Sequence, residues 1–130
     1  MTRTPTPRHE LYAWHGAALE GRRPQVTHDP HCGWYKRRLV RGGPWIPARI
    51  WLEQRVEDGE LVADETMRCE VNGEERDPHE QWTYLADHPI SEQEFLYLAS
   101  LNRWAAIHAP DHPAANPRGK IDFHAAPIPF

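Results

Sequence analysis

No run of the chain approaches the ~18 consecutive apolar residues of a membrane-crossing helix, so no segment reads as transmembrane. The polar, proline-bearing N-terminus lacks the apolar core of a signal peptide. Cysteine is scarce: Cys32 and Cys69 can pair, but two are too few for a disulfide framework, and the expectation is a reduced, cytoplasmic protein. Sequence signatures of catalysis or cofactor binding are also missing. Gly42-Gly43-Pro44 runs into a strand, whereas a Gly-rich phosphate cradle opens a helix, and no C-x2-C spacing occurs. Nor is there an excess of positive charge. A formal net charge of −4 predicts no strong global attraction to nucleic acid.

What is present describes one globular domain. A chain of 130 residues can bury a core without disulfide or metal staples, and 39% hydrophobic with 26% charged residues suits such a fold. Thirteen prolines imply long irregular segments.

The stretch Gly33–Val56 organises the chain, as two strands joined at Arg41-Gly42-Gly43-Pro44. It holds three of the six tryptophans and six of the fifteen Lys and Arg residues. In the second arm Ile46, Ala48, Ile50 and Leu52 alternate with Trp45, Pro47, Arg49, Trp51 and Glu53, which separates an aliphatic face from an aromatic–basic one. In the first arm Tyr35, Arg37 and Leu39 share one face, and Trp34, Lys36, Arg38 and Val40 the other. Pro47 cannot donate to a ladder, which predicts an edge or a bulge there.

Charge is segregated along the chain. Residues 34–56 carry six cations against Glu53, a local +5, while residues 57–80 carry ten acids against Arg68 and Arg76, a local −8. Two readings stand open, namely opposed surface patches or cross-strand pairing between neighbours.

Residues 1–7 read as disordered. The spacing of Leu11, His15, Ala18 and Leu19 predicts a helix from Arg8 to Glu20, stopped at Gly21, and a loop then runs to Cys32. Asp58-Gly59 and Asn72-Gly73 are type I′ turn pairs, so Thr66–Val71 and Glu74–Asp77 follow as strands of a meander. Asp77-Pro78 opens a short helix through Trp82 and Leu85. Ser91 with Glu94 forms a capping box, and Ile90 with Phe95 a hydrophobic staple, which open a long helix ended at Pro110. Its stripe runs through Phe95, Leu98, Leu101, Asn102, Ala105 and His108, broadened by Leu96, Trp104 and Ile107. The proline-rich end offers Ile121, Phe123, Ile128 and Phe130 to pin it to the body or a partner.

The expected fold class is α+β. A three- or four-stranded antiparallel meander packs against one long and one or two short helices, with the helix at 91–108 on the aliphatic face. Residues 8–108 form the domain, and 109–130 a tail docked on it.

Four motifs, GGPWIPARIW at 42–51, DP…W at 77–82, PISEQEFLYL at 89–98 and NPRGKIDF…PIPF at 116–130, resemble a family of short hypothetical proteins from bacterial phages and prophages. The resemblance covers roughly residues 33–130. It implies a small accessory protein working in bacterial cytoplasm, and it carries no activity or catalytic residue with it.

His28, His31, Cys32 and Cys69, with His79 nearby in kind, offer the imidazole and thiolate ligands of a tetrahedral zinc site; a capped loop beside a buried thiol accounts for the same residues. Cys32 beside His31 has the composition of a nucleophile and base, but sequence neighbours rarely converge in space. His108 and His112 stand four apart with proline between, which removes a shared helical face.

The residues best suited to function are therefore contacts: Arg37, Arg41, Trp45, Arg49 and Trp51. Arginine with tryptophan suits stacking on bases at phosphates, and equally the centre of a protein interface. The expectation is a non-enzymatic protein, without cofactor, that binds a host protein or nucleoprotein complex as an anti-defence or host-takeover inhibitor. Nucleic-acid binding by the hairpin is the alternative, and a small zinc domain the third.

Overall fold

A computed structural model describes residues 3–22 and 28–119. The apolar anchors expected at Ile121, Phe123, Ile128 and Phe130 lie outside those residues. Short helices α1 (Arg8–Leu11) and α2 (Ala13–Leu19) precede strands β1 (Gly33–Arg37), β2 (Ile46–Glu53), β3 (Val56–Glu57), β4 (Glu60–Leu61), β5 (Thr66–Val71) and β6 (Glu74–Arg76). Helices α3 (Pro78–Leu85) and α4 (Glu92–His108) follow, and then a 3-10 turn at Pro113–Ala115.

The main sheet is an antiparallel meander in the order β1-β2-β5-β6, with the small β3–β4 ribbon carried on the β2–β5 connection. Local chemistry sets its turns. Asp58 and Gly59, like Asn72 and Gly73, all take positive φ, as type I′ hairpins demand. The β1–β2 ladder closes at Arg37 opposite Ile46, so residues 38–45 form its connection, longer than the four-residue turn expected. β2 is an interior strand, and Pro47 is not at an edge. It stands one residue beyond the last β2–β5 pair, Ala48 with Val71, where its carbonyl accepts the Asn72 N–H at 2.8 Å and no ladder donor is called for.

The helix starts follow their caps. Asp77 accepts from the His79 N–H at 2.9 Å ahead of Pro78, and Ser91 from the Glu94 N–H at 3.1 Å. Each such cap stabilises a helix by about 1 kcal/mol. The single helix expected over Arg8–Glu20 is instead broken at Tyr12, whose φ/ψ of −101°/9° leaves the helical region. The Tyr12 ring stacks on Trp34 at 5.0 Å, with the Arg8 guanidinium 5.1 Å from the Tyr12 ring centre, so a tertiary contact accompanies the break. The N-terminal segment also makes contacts from Arg3 onward, where disorder was expected. Its carbonyl accepts the Leu61 N–H at 2.8 Å, and its guanidinium pairs with Glu65 at 3.3 Å.

The core lies on one face of the sheet. Tyr35, Ile46, Ala48, Ile50, Cys69 and Val71 meet Trp82, Leu85 and Ala86 of the α3 region, with Trp14 of α2 packed alongside. Full burial of a side chain such as Ile50 or Leu85 stabilises by about 1.5–3 kcal/mol. Trp14 and Trp82 meet edge to face at 5.1 Å, and the Tyr35 hydroxyl donates to the His31 carbonyl at 2.8 Å.

The long helix lies on the face opposite to the one expected. No α4 residue belongs to the aliphatic cluster. Instead α4 crosses the sheet side that carries Lys36 and Pro47: Glu94 pairs with Lys36 at 3.4 Å, and Phe95, Ala99 and Asn102 share a groove with Pro47 and Glu70. The reason is competition. α3, α2 and their aromatic rings already fill the aliphatic face, and the second face still presents indole and proline surface to cover.

A contact unheralded in the sequence closes the free edge of β1. The Lys36 N–H donates to the His88 carbonyl at 3.1 Å and the Ile90 N–H to the Trp34 carbonyl at 2.9 Å, an edge cover that blocks pairing with another chain. His15 fastens this corner. Its Nε2 lies 2.9 Å from the Trp34 carbonyl and 2.8 Å from the Ile90 carbonyl, and since carbonyls only accept, Nε2 carries the proton. A Cβ placed on Gly33 would come within 2.5–2.8 Å of the His15 ring and its Cβ.

Two outcomes follow. Gly33→Ala is expected to lower stability in urea melts by about 1–3 kcal/mol, because the imidazole must shift. Burial holds His15 below its ordinary pKa, against the raising effect of its two carbonyl bonds; burial lowers His31 likewise, opposed by Asp29. The unfolded chain therefore binds more protons, so stability is full above the ordinary value of 6.5 and is lost as pH falls through it towards the folded values. Melting temperature should drop between neutral pH and mild acid, and His15→Gln should flatten that slope; an unchanged slope would contradict the assignment.

Candidate interaction surfaces

The outer sheet face gathers indoles and cations because period-two alternation sends them there together. Trp45 is half-buried: the Lys36 ammonium lies 4.7 Å and the Arg38 guanidinium 4.2 Å from its ring centre, and the His88 ring meets it at 4.9 Å. Trp51 carries Arg49 at 4.3 Å and Arg68 at 5.7 Å. Cation–indole contacts of this kind contribute about 0.5–1 kcal/mol where exposed.

Of the five expected contacts, the structure places Trp45, Arg49 and Trp51 on that face, Arg41 exposed in the β1–β2 connection, and Arg37 elsewhere. Arg37 shares the parity of Tyr35 and is turned inward. Its Nη1 donates to the Gln81 side-chain oxygen at 2.6 Å, its Nε to the Arg38 carbonyl at 3.3 Å, and its guanidinium covers the Tyr84 ring at 4.0 Å. A residue so enclosed cannot serve as a surface contact on the outer face.

The charge segregation resolves in part into pairs. Arg49 stands in register with Glu70 and reaches it at 3.7 Å. Arg68 binds Glu53 at 2.8 Å and also Glu75, and Lys36 binds Glu94. Among the described residues, Arg38 and Arg41 near the β1–β2 turn are exposed cations that have no acid at ion-pair distance, as are Arg8 beside Trp34 and Arg55 beyond β2, so the end around Trp45 is one unneutralised part of the face.

The zinc ligands do not assemble. Among the described residues no three His, Cys, Asp or Glu side chains are grouped to hold a metal ion. His28 is exposed, the His31 ring stacks on Trp14 at 5.0 Å, and the Cys32 thiol lies 3.9 Å from the Met67 sulfur. Both cysteines are buried and free. Burial raises the Cys32 thiol, and burial, then Glu70 and Asp77, push Cys69 up to about 12, so neither has the lowered pKa of an activated nucleophile. His108 and His112 both flank Trp104, at 6.1 and 6.2 Å, as a helix exit.

The surface that sequence reasoning missed is the back of α4. Leu96, Tyr97, Trp104 and Ile107 are 55%, 64%, 50% and 66% exposed. Tyr97 and Trp104 are seven apart and Leu96 and Ile107 eleven apart, so both pairs return to one side of the helix. The signal was the excess breadth of the apolar stripe: a helix that is apolar nearly all round has a second side to cover.

The register makes a checkable claim. Arg49→Glu places a like charge opposite Glu70 and is expected to cost about 0.5–1 kcal/mol in urea melts. The double reversal Arg49→Glu with Glu70→Arg should recover most of that loss, whereas Arg41→Glu should leave stability unchanged.

In comparisons with known proteins, no family model, no curated protein and no solved structure matches the chain.

Proposed function

We propose that this is a non-enzymatic binding protein whose partner is another protein, held chiefly by the solvent side of α4. The observation that carries this reading is the row Leu96, Tyr97, Trp104 and Ile107, four large apolar side chains each at least half exposed on one rigid helix. Anchors spaced by whole turns are how an amphipathic helix fills an apolar groove, and aromatic residues dominate the energetics of such contacts. The partner surface that fits is therefore an apolar groove. Lys36, which lies over Trp45 and pairs with Glu94, joins the α4 surface to the Trp45 cluster, so Arg38 and Arg41 are available to acids at the groove's rim.

Bare nucleic acid is the weaker reading because half of the hairpin's six cations are spoken for. Lys36 and Arg49 face carboxylates, Arg37 is enclosed, and Arg68 of the neighbouring β5 is paired as well. Binding to a nucleic-acid backbone draws much of its free energy from cations that release counterions, and an arginine already paired with a carboxylate contributes less of it. The resemblance to phage and prophage proteins supports a bacterial host protein or nucleoprotein complex as the partner, with inhibition by occlusion as the mode of action.

The test is capture from bacterial lysate by the immobilised full chain after nuclease treatment, beside titration of a labelled oligonucleotide. Capture should survive nuclease, depend weakly on salt, and be lost in the double variant Tyr97→Lys/Ile107→Lys while Arg38→Glu/Arg41→Glu weakens it by about tenfold. Oligonucleotide binding that falls steeply with salt and disappears in Arg38→Glu/Arg41→Glu, or capture indifferent to the α4 substitutions, would overturn the proposal.

A further inference from the structure

Arg37 presents a separate problem. It is 9% exposed, yet no carboxylate lies at ion-pair distance from it among the described residues, and its neighbours are a neutral amide, a carbonyl and a tyrosine ring. A guanidinium has five N–H donors, of which two are engaged by those partners. Nη2 has no partner among the described residues and is not sealed from solvent, so its donors open towards accessible space. Elsewhere on this sheet the cations that α4 and the strands enclose have acids: Lys36 has Glu94, Arg49 has Glu70 and Arg68 has Glu53. A buried cation left without a countercharge is costly, and the cost is removed when an anion binds.

The space beside it is a cleft of about 470 Å³ at the sheet end where the β1–β2 and β5–β6 turns meet, and no residue of α4 lines it. Arg76 of β6 and Arg118 from the segment after the 3-10 turn line the same cleft, with Glu74 as its one acid among the described residues and the amides of Gln81 and Asn116 beside them. Three cations against one carboxylate leave +2, since Arg76 is the partner that Glu74 neutralises. Burial pushes the Arg37 guanidinium down from its ordinary pKa; Tyr84 opposes that shift, and the Arg118 charge adds to it. Bringing Arg118 to this cleft therefore works against the charge already there.

We infer that this cleft binds a small molecule through a phosphoryl group held by Arg37, Arg118 and Arg76. Planar guanidinium forks match phosphate oxygens, and a phosphate monoester at neutral pH carries about −1.5 to −2, the charge the cleft lacks. A carboxylate would supply only half of it. The volume exceeds that of a bare phosphate and falls in the range of small-molecule sites, with Ile46 and Val71 as an apolar wall for the organic part. The site is independent of the α4 surface, and either can fail without the other.

Isothermal titration of the full chain with inorganic phosphate, AMP, adenosine and acetate at constant ionic strength tests this. Phosphate and AMP should bind, and adenosine and acetate should not. Tighter binding of AMP than phosphate identifies a phosphorylated metabolite, and equal binding identifies the free anion. Arg118→Gln, at an exposed position, should weaken AMP binding about tenfold without altering the melting curve, and Arg37→Gln should abolish it. If Arg37→Gln does not fold, Arg76→Gln with Arg118→Gln takes its place, with the same loss expected. Absence of heat with both phosphate and AMP, acetate binding as tightly as phosphate, or an unchanged affinity in Arg118→Gln would overturn the inference.

Discussion

Strand β2 is paired on both edges and has a helix against each face, and that double demand shapes the molecule. Ile46, Ala48 and Ile50 face the α3 side with Trp82 and Leu85, and their opposite-parity neighbours Pro47 and Arg49 face α4. Because one short strand must satisfy two layers, the chain sends a helix to each side of the sheet. The corner where β1 meets the segment 88–90 is then fixed by a single imidazole between two carbonyls. α4 is what remains free to vary. Having covered the outer sheet face with one side, it still shows apolar residues on the other.

Electrostatics follows the same geometry. Antiparallel register places the basic arm of the hairpin beside the acidic stretch that follows, so Arg49 and Arg68 find acids a strand away. Pairs of that kind are worth a few tenths of a kcal/mol each, enough to favour the register and too little to build the fold. What the pairing leaves over includes Arg38 and Arg41 at the turn in solvent, and Arg37 enclosed without an acid among the described residues. The first two suit the rim of a contact surface, and the third a ligand.

Local signals in the sequence carried over where the physics is local. Asp58-Gly59 and Asn72-Gly73 set their turns by backbone preference alone, and Asp77 and Ser91 opened their helices by satisfying nearby N–H groups. Parity had placed Arg37 beside Tyr35 correctly, yet its charge made it look like a surface residue, since burial of a lone arginine is uncommon. The side of the sheet that α4 covers was not legible. That depends on α2 and α3 having filled the aliphatic face first, through Trp14 and Trp82, which are distant in sequence. The strand-like run at 88–90 was invisible for a related reason, because Pro89 argues against a strand and only its position beside β1 gives its neighbours their partners.

The central claim is that the described residues leave one apolar side of α4 bare. Hydroxyl-radical footprinting of the full, monomeric chain, read residue by residue by mass spectrometry, tests it most directly. Tyr97, Trp104 and Ile107 should be modified readily while Tyr35, Trp82 and Leu85 are protected. Protection of Tyr97 and Ile107 to the level of Trp82 in the isolated monomer would mean that the chain already covers this side, and the proposed partner surface would not exist.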